Sequence, residues 1–114
     1  MFSGCLSSTA YITYDDATPP EQKCTLTIAA SLTVTEFNGK AVEWKPAFGY
    51  NWGEVQIPQG NHTFTVNFTT TATGGIYTAE NIAVSHNFKA GRSYRMVPLM
   101  RPPNVTIVIK DISQ

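Results

Sequence analysis

Two histidines and eight acidic side chains are the groups through which this chain of 114 residues would move protons or hold a metal. His62 follows a turn in "PQGNHT", where a ring nitrogen can hydrogen-bond nearby backbone and hold a hairpin. His86 lies on an apolar stripe between Val84 and Phe88, so a buried, hydrogen-bonded ring is expected there. Neither has a His-x-His, Cys-x-x-Cys or carboxylate partner beside it, and no metal or other cofactor is expected. Asp15-Asp16 lacks the Asp-x-Asp-x-Asp loop that would supply calcium with its roughly six or more oxygens, and reads as a solvated loop. Glu43 and Glu54 flank a loop across which two carboxylates could approach, as glycoside hydrolysis requires. The chain has no Gly-x-Ser-x-Gly elbow, and the "TGG" from Thr73 to Gly75 lacks the lysine and following helix of a phosphate loop. These missing parts point to a protein that is not an enzyme.

Binding chemistry is better represented. Trp44, Phe48, Tyr50 and Trp52 fall within nine residues, in a loop punctuated by proline and glycine. Exposed rings of this kind stack on sugar faces or anchor a protein partner, because they offer large apolar area with few rotors. Trp44 is expected to turn inward. Phe48, Tyr50 and Trp52 form the candidate ligand-binding set, with end-plugging of the core as the alternative for Tyr50 and Trp52. Asn61, Asn67 and Asn104 each begin an Asn-x-Thr triplet, a glycan acceptor only in a eukaryotic secretory setting. Of the two cysteines, Cys24 begins an apolar run and reads as a small buried side chain, or as the partner of Cys5 in one disulfide.

These residues must be positioned by strands, since side chains alternate in character along most of the chain. Cys24, Leu26, Ile28, Ala30, Leu32 and Val34 recur at every second position, with a bend expected at Ala29-Ala30. In "EFNGKAVEW" a three-residue loop, Phe37-Asn38-Gly39, keeps one apolar face by pairing Leu32 with Trp44, Val34 with Val42 and Glu36 with Lys40. Val55 and Ile57, a turn at Pro58-Gln59-Gly60, and Phe64, Val66 and Phe68 read as a second hairpin, followed by a polar connection from Thr70 to Gly75. Ile82, Val84, His86 and Phe88 form the next stripe, "KAGR" turns it, and Tyr94 and Met96 begin a return strand. Pro98, Pro102 and Pro103 interrupt the chain before Val105, Ile107 and Ile109. No segment holds a helical period. The expected fold is all-β, a two-sheet antiparallel sandwich of about seven strands with immunoglobulin-like or transthyretin-like shape, and a small closed barrel is the alternative.

A formal net charge of zero, with no run of like charges, argues against nucleic acid as a partner. A charged fraction of 14% beside abundant threonine and serine suits an exported β protein. Residues 1–23 show no sustained period and contain Asp15-Asp16 and Pro19-Pro20, which reads as a flexible tether with one short strand at "AYITY". Residues 24–114 are the sandwich domain.

Phe2-Ser3-Gly4-Cys5 resembles the lipobox of bacterial lipoproteins, in which an aliphatic residue, a small residue, glycine or alanine, and then the acylated cysteine stand in line. Phe2 departs from the usual aliphatic. The resemblance implies a lipid on Cys5, attachment to a membrane of the bacterial cell envelope, and residues 6–23 as tether. "FNGK", "IPQGNHTFTV" and "FKAGRSYRM" are similar to turns of small β-sandwich domains in exported bacterial proteins of uncharacterised function. That likeness implies a fold and a compartment, and no activity. The functional expectation is a non-enzymatic envelope lipoprotein domain, structural or protein-binding, with a carbohydrate-binding module as the alternative. Its partners would be the membrane through Cys5, and another envelope protein or a glycan.

Overall fold

The computed structural model describes residues 9–14, 17–47, 50–72, 75–101 and 104–113. Cys5, the rest of the lipobox, Asp15-Asp16 and Phe48 lie outside them. The described residues form nine strands: β1 (Thr9–Ile12), β2 (Lys23–Ala29), β3 (Leu32–Phe37), β4 (Lys40–Trp44), β5 (Trp52–Pro58), β6 (Gly60–Ala72), β7 (Gly75–Phe88), β8 (Ser93–Arg101) and β9 (Asn104–Asp111). Their only helical element is a short 3-10 turn at Pro20–Gln22.

Two sheets stack face to face, in the orders β1-β5-β2-β8-β9 and β4-β3-β6-β7. The protein is therefore a β-sandwich. The barrel alternative falls, because each sheet keeps two edge strands. Pairing is mostly antiparallel, but β1 runs parallel to β5 and β2 parallel to β8. The long alternating run from Cys24 is two strands, since the chain turns at Ala30-Ser31 and crosses from one sheet to the other. That corner, together with β1, raises the strand number above the seven expected.

Alternation then explains the core. Cys24, Leu26 and Ile28 of β2, Val55 and Ile57 of β5 and Met96 of β8 face Leu32 and Val34 of β3 and Phe64, Val66 and Phe68 of β6, all fully or almost fully buried. The polar partners Thr63, Thr65, Asn67 and Thr69 lie toward solvent on the other face of β6, as period two requires.

The β3–β4 hairpin corrects the three-residue loop. Phe37 pairs directly with Lys40, so the turn is Asn38-Gly39 alone, with φ of 52° and 84° at the two residues. Positive φ at both positions is what a type I′ turn demands, and Asn-Gly is the pair that adopts it most readily. Alternation alone argued against this turn, because it sends Val34 and Val42 to opposite faces. A bulge between Val34 and Glu36 resolves the conflict: Val34 pairs with Trp44, whereas Glu36 pairs with Ala41. The register slips against β6 as well, so Leu32, Val34 and Phe37 all point inward. Thr35 Oγ1 donates to the Thr65 carbonyl at 3.2 Å beside this irregularity.

Three other expectations change. The polar connection after Phe68 is a continuation of β6 and β7, which pair as far as Ala72 and Gly75. A second bulge lets β7 follow: Asn81 takes φ of 58° and its N–H donates to Asn67 Oδ1 at 2.9 Å. "KAGR" is a crossing to the opposite sheet rather than a hairpin, and the Tyr94 hydroxyl braces it by accepting from Lys89 N–H at 2.9 Å, in the manner of a tyrosine corner. Pro98 lies inside β8, opposite Ile107, beyond the last pairing with β2 at Met96. There the strand has a neighbour on one side only, so the missing N–H is tolerated.

Within the stretch read as a tether, β1 is a strand of the larger sheet, and Tyr14 sets its ring edge-on to Phe37 and Trp44, at 5.3 Å from each. The sequence shows no period here because a four-residue strand presents only two side chains to each face. Gly53 makes room for it. A Cβ at that position would stand 2.7 Å from Ile12 Cδ1 and 3.3 Å from the Pro46 nitrogen, so the bare backbone is the seat on which Ile12 rests.

Candidate functional site

Strand direction defines two ends of the sandwich. At one lie the β3–β4 turn, the β5–β6 turn and the β7–β8 crossing, and at the other the start of β1 and of β5, with the β6–β7 and β8–β9 tips. They are named here for Asn38 and Trp52.

His62 is the best-defined polar group of the Asn38 end. It is buried at the start of β6, with Nε2 2.7 Å from the Pro58 carbonyl and Nδ1 2.9 Å from Asn38 Nδ2. Asn38 Oδ1 accepts the Thr63 N–H at 2.9 Å, which orients the amide and aims its NH2 at the ring. An NH2 only donates, so Nδ1 is the acceptor and Nε2 carries the hydrogen given to Pro58. The ring thus ties the β5–β6 and β3–β4 turns together, the structural role its position implied. His86, its direct cross-strand partner, is half-buried rather than buried. Its ring lies edge-on to Phe88 and Tyr94 at 5.1 and 5.3 Å, and no hydrogen bond to it is found among the described residues.

Both imidazoles join a continuous aromatic core that runs from Tyr14 through Trp44, Phe37, Phe64 and Phe88 to Tyr94, with neighbouring centroids 4.8 to 6.5 Å apart. Trp44 is inward as expected, although it pairs with Val34 rather than with Leu32. Among the described residues no cluster of three metal-ligating side chains occurs, no pocket opens, and no buried side-chain nitrogen or oxygen lacks a partner.

The structure separates Glu43 and Glu54. Glu43 neighbours the buried Trp44 on β4 and meets Lys45 at 3.5 Å, whereas Glu54 alternates with the buried Gly53 and Val55 on β5 of the other sheet. Each faces outward, with the core between them. Cys24 is a buried thiol that donates to the Ile57 carbonyl at 3.5 Å, and Cys5, its candidate disulfide partner, lies outside the described residues. Burial pushes this thiol up to about 11, which makes it a poor nucleophile.

Tyr50 is exposed and Trp52 half-buried, both at the Trp52 end. The Arg95 guanidinium lies 4.8 Å above the Trp52 ring, a cation–π contact that covers one face. Sequence reading missed Arg95 because the contact depends on β8 lying beside β2, a parallel pairing between distant segments. It also missed Tyr14 and Phe37 as core residues and the clip at the Asn38 end. There Arg92 Nε donates to Asp111 Oδ2 at 2.6 Å, Ser113 N–H donates to Asp111 Oδ1 at 2.9 Å, and Ser93 N–H donates to Ser113 Oγ at 2.7 Å.

The Ser113 N–H first, and then the Arg92 side chain, hold the Asp111 carboxyl at about 2, below its ordinary 3.8. A folded value below the unfolded one contributes stability above the unfolded value, and this is lost as the pH falls through the folded one. Urea midpoints should therefore decline between about pH 4 and pH 2 more steeply in the native chain than in Asp111→Asn. Parallel declines would assign the loss to other carboxylates.

The fold and these groups define a small two-sheet sandwich with an aromatic core, no assembled set of reactive groups among the described residues, and exposed rings at one end. Comparison with family models, with curated proteins and with solved structures gives no match.

Proposed function

We propose that this chain is a non-enzymatic lipoprotein domain of the bacterial cell envelope, held by a lipid on Cys5 and serving as a structural or protein-binding module. The observation that carries this reading is the position of β1. Cys5 stands four residues before Thr9, which is already paired in the sheet, so an acyl group on Cys5 would hold the folded domain by a short lead. Each buried methylene of such a lipid contributes about 0.8 kcal/mol, and two or more chains make the attachment stable. The module role is supported by β7, an edge strand fourteen residues long whose outer side pairs with no strand among the described residues and so offers its backbone to a partner strand.

Expressed with its complete gene in a bacterium, the protein should fractionate with membranes, and Cys5→Ala should release it. An alanine variant that stays with the membrane as well as the native protein would eliminate the lipid anchor. The carbohydrate-binding alternative, through Phe48, Tyr50 and Trp52, has less support. Arg95 occupies one face of the Trp52 ring, and a sugar would have to displace that contact to stack there.

A further inference from the structure

Among the described residues, four of the six exposed large apolar side chains share one end of the sandwich, while Tyr11 lies on β1 and Ile112 at the opposite end. At the Trp52 end, Tyr50, Ile76, Tyr77 and Leu99 are 47, 70, 42 and 45% exposed, and the half-buried Trp52 lies among the same strand ends. They come from four different segments: the loop before β5, the start of β7, the end of β8 and β5 itself. The register places them at the same end but in steps: Trp52 pairs with Ala29, Leu99 lies three residues past Met96, the partner of Ile28, and Ile76 pairs with Thr71, three residues past the Leu32–Phe68 pair, so Leu99 and Ile76 stand on strand tips that project beyond the sheet ends. At the Asn38 end charged groups predominate, Lys23, Lys40, Lys89, Arg92, Lys110 and Asp111 lying at its strand ends and turns beside the exposed Ile112.

The chain from Cys5 enters at the apolar end. Thr9 is the direct partner of Trp52, and the four residues from Cys5 to Thr9 span at most about 14 Å when extended. A lipid on Cys5 therefore cannot hold the Asn38 end to a bilayer while leaving the Trp52 end remote from it. Tyrosine and tryptophan settle at the headgroup level of membranes, where one part of the ring is apolar and another wet. Isoleucine and leucine beside them add apolar area. Arg101 and Lys45 at the same end are the cations that anionic headgroups would meet.

We propose that the Trp52 end of the sandwich, presenting Tyr50, Trp52, Ile76, Tyr77 and Leu99, rests in the headgroup layer of the membrane to which Cys5 is attached. The charged Asn38 end then points away from the bilayer, and the β7 edge runs outward from it. This rests on the lipid-anchor reading, because the short lead from Cys5 is what selects a membrane over a second copy of the chain. The occupant is a phospholipid surface.

The test supplies the anchor chemically, so that it does not depend on acylation in the cell. Cys24 is buried and its thiol is suppressed, which leaves Cys5 for coupling of the full chain to a maleimide phospholipid in phosphatidylcholine vesicles containing phosphatidylglycerol. Trp44 is sealed in the core, so quenching of tryptophan emission by a headgroup nitroxide lipid reports Trp52. Strong quenching is expected, with loss of the quenched component in Trp52→Phe. In the control, Ile112→Trp on the Trp52→Phe background places an indole at the opposite end, and little quenching is expected there. Equal quenching at the two ends, or none at Trp52, overturns the proposal, since the domain would then hang without preferred orientation. A solution dimer of the uncoupled chain that is lost in Ile76→Ser with Leu99→Ser would assign the apolar end to a second copy and equally overturn it. Failure of the lipid anchor itself appears separately, as unaltered fractionation of Cys5→Ala.

Discussion

Phe64→Ala lowers the unfolding free energy by about 3–5 kcal/mol, the range for removing a fully buried phenylalanine. Phe64 is at the centre of β6 with none of its surface exposed, and its ring meets those of Phe37, Trp44 and Phe88 at 5.3, 6.5 and 5.8 Å. Those neighbours come from three strands of one sheet, so no single side chain can swing in to refill the space. The loss combines the transfer of the ring to water with the dispersion contacts forfeited around the cavity. Domains of this size hold about 5–15 kcal/mol in total, so the variant is left marginal at body temperature. Phe64→Leu keeps most of the volume and should cost less than about 2 kcal/mol. Urea unfolding followed by tryptophan emission reads both values, and equal midpoints for the two variants would show that the aromatic contacts are not the source of the stability.

Loss of the His62 side chain is the second large effect. His62→Ala should cost about 2–4 kcal/mol, because the Pro58 carbonyl and the Asn38 amide lose their partners and a gap opens beside Phe37 and Phe88. Asn38→Gly isolates the polar part, since glycine accepts the positive φ of that turn position and removes only the side-chain bonds. The double variant His62→Ala/Asn38→Gly should show a coupling of about 0.5–3 kcal/mol. Strict additivity of the two single changes would mean that the bond between the side chains does not stabilise the hairpins. Nitrogen NMR of the ring offers an independent check, with the hydrogen on Nε2. A spectrum that places it on Nδ1 contradicts the donor and acceptor assignment.

The difference between the two ends follows from the same arrangement. The turns of the Asn38 end are fastened by hydrogen bonds of His62, Asn38, Tyr94 and Asp111. At the Trp52 end Tyr50, Ile76, Tyr77 and Leu99 are exposed beside Lys45 and Arg101, and the proposed contact with a membrane would cover them without a rearrangement of the core.

Much of this protein was legible along the chain. Val55, Ile57, Phe64, Val66, Phe68, Tyr94 and Met96 were assigned inward by period two and are buried, because alternation follows from the pleat itself and needs no knowledge of neighbours. The role of His62 as a brace was also visible, since a ring two residues after a turn is within reach of the backbone that the turn reverses. The β3–β4 register was not. Alternation and turn chemistry disagreed there, and the bulge that reconciles them is stabilised by pairing with β6, about thirty residues away.

The sequence by itself determined that this is an all-β chain with a single apolar face on most strands, because side-chain period is a local property. Only the tertiary structure decided which strands are neighbours. It joined β1 parallel to β5 and β2 parallel to β8, carried Arg95 over Trp52, and parted Glu43 from Glu54 across the core. It also gathered Tyr50, Ile76, Tyr77 and Leu99 at the end where the chain from Cys5 enters. Such neighbourhoods depend on strand order and direction, which are settled by how two sheets bury their faces together, and no short window of sequence records that choice.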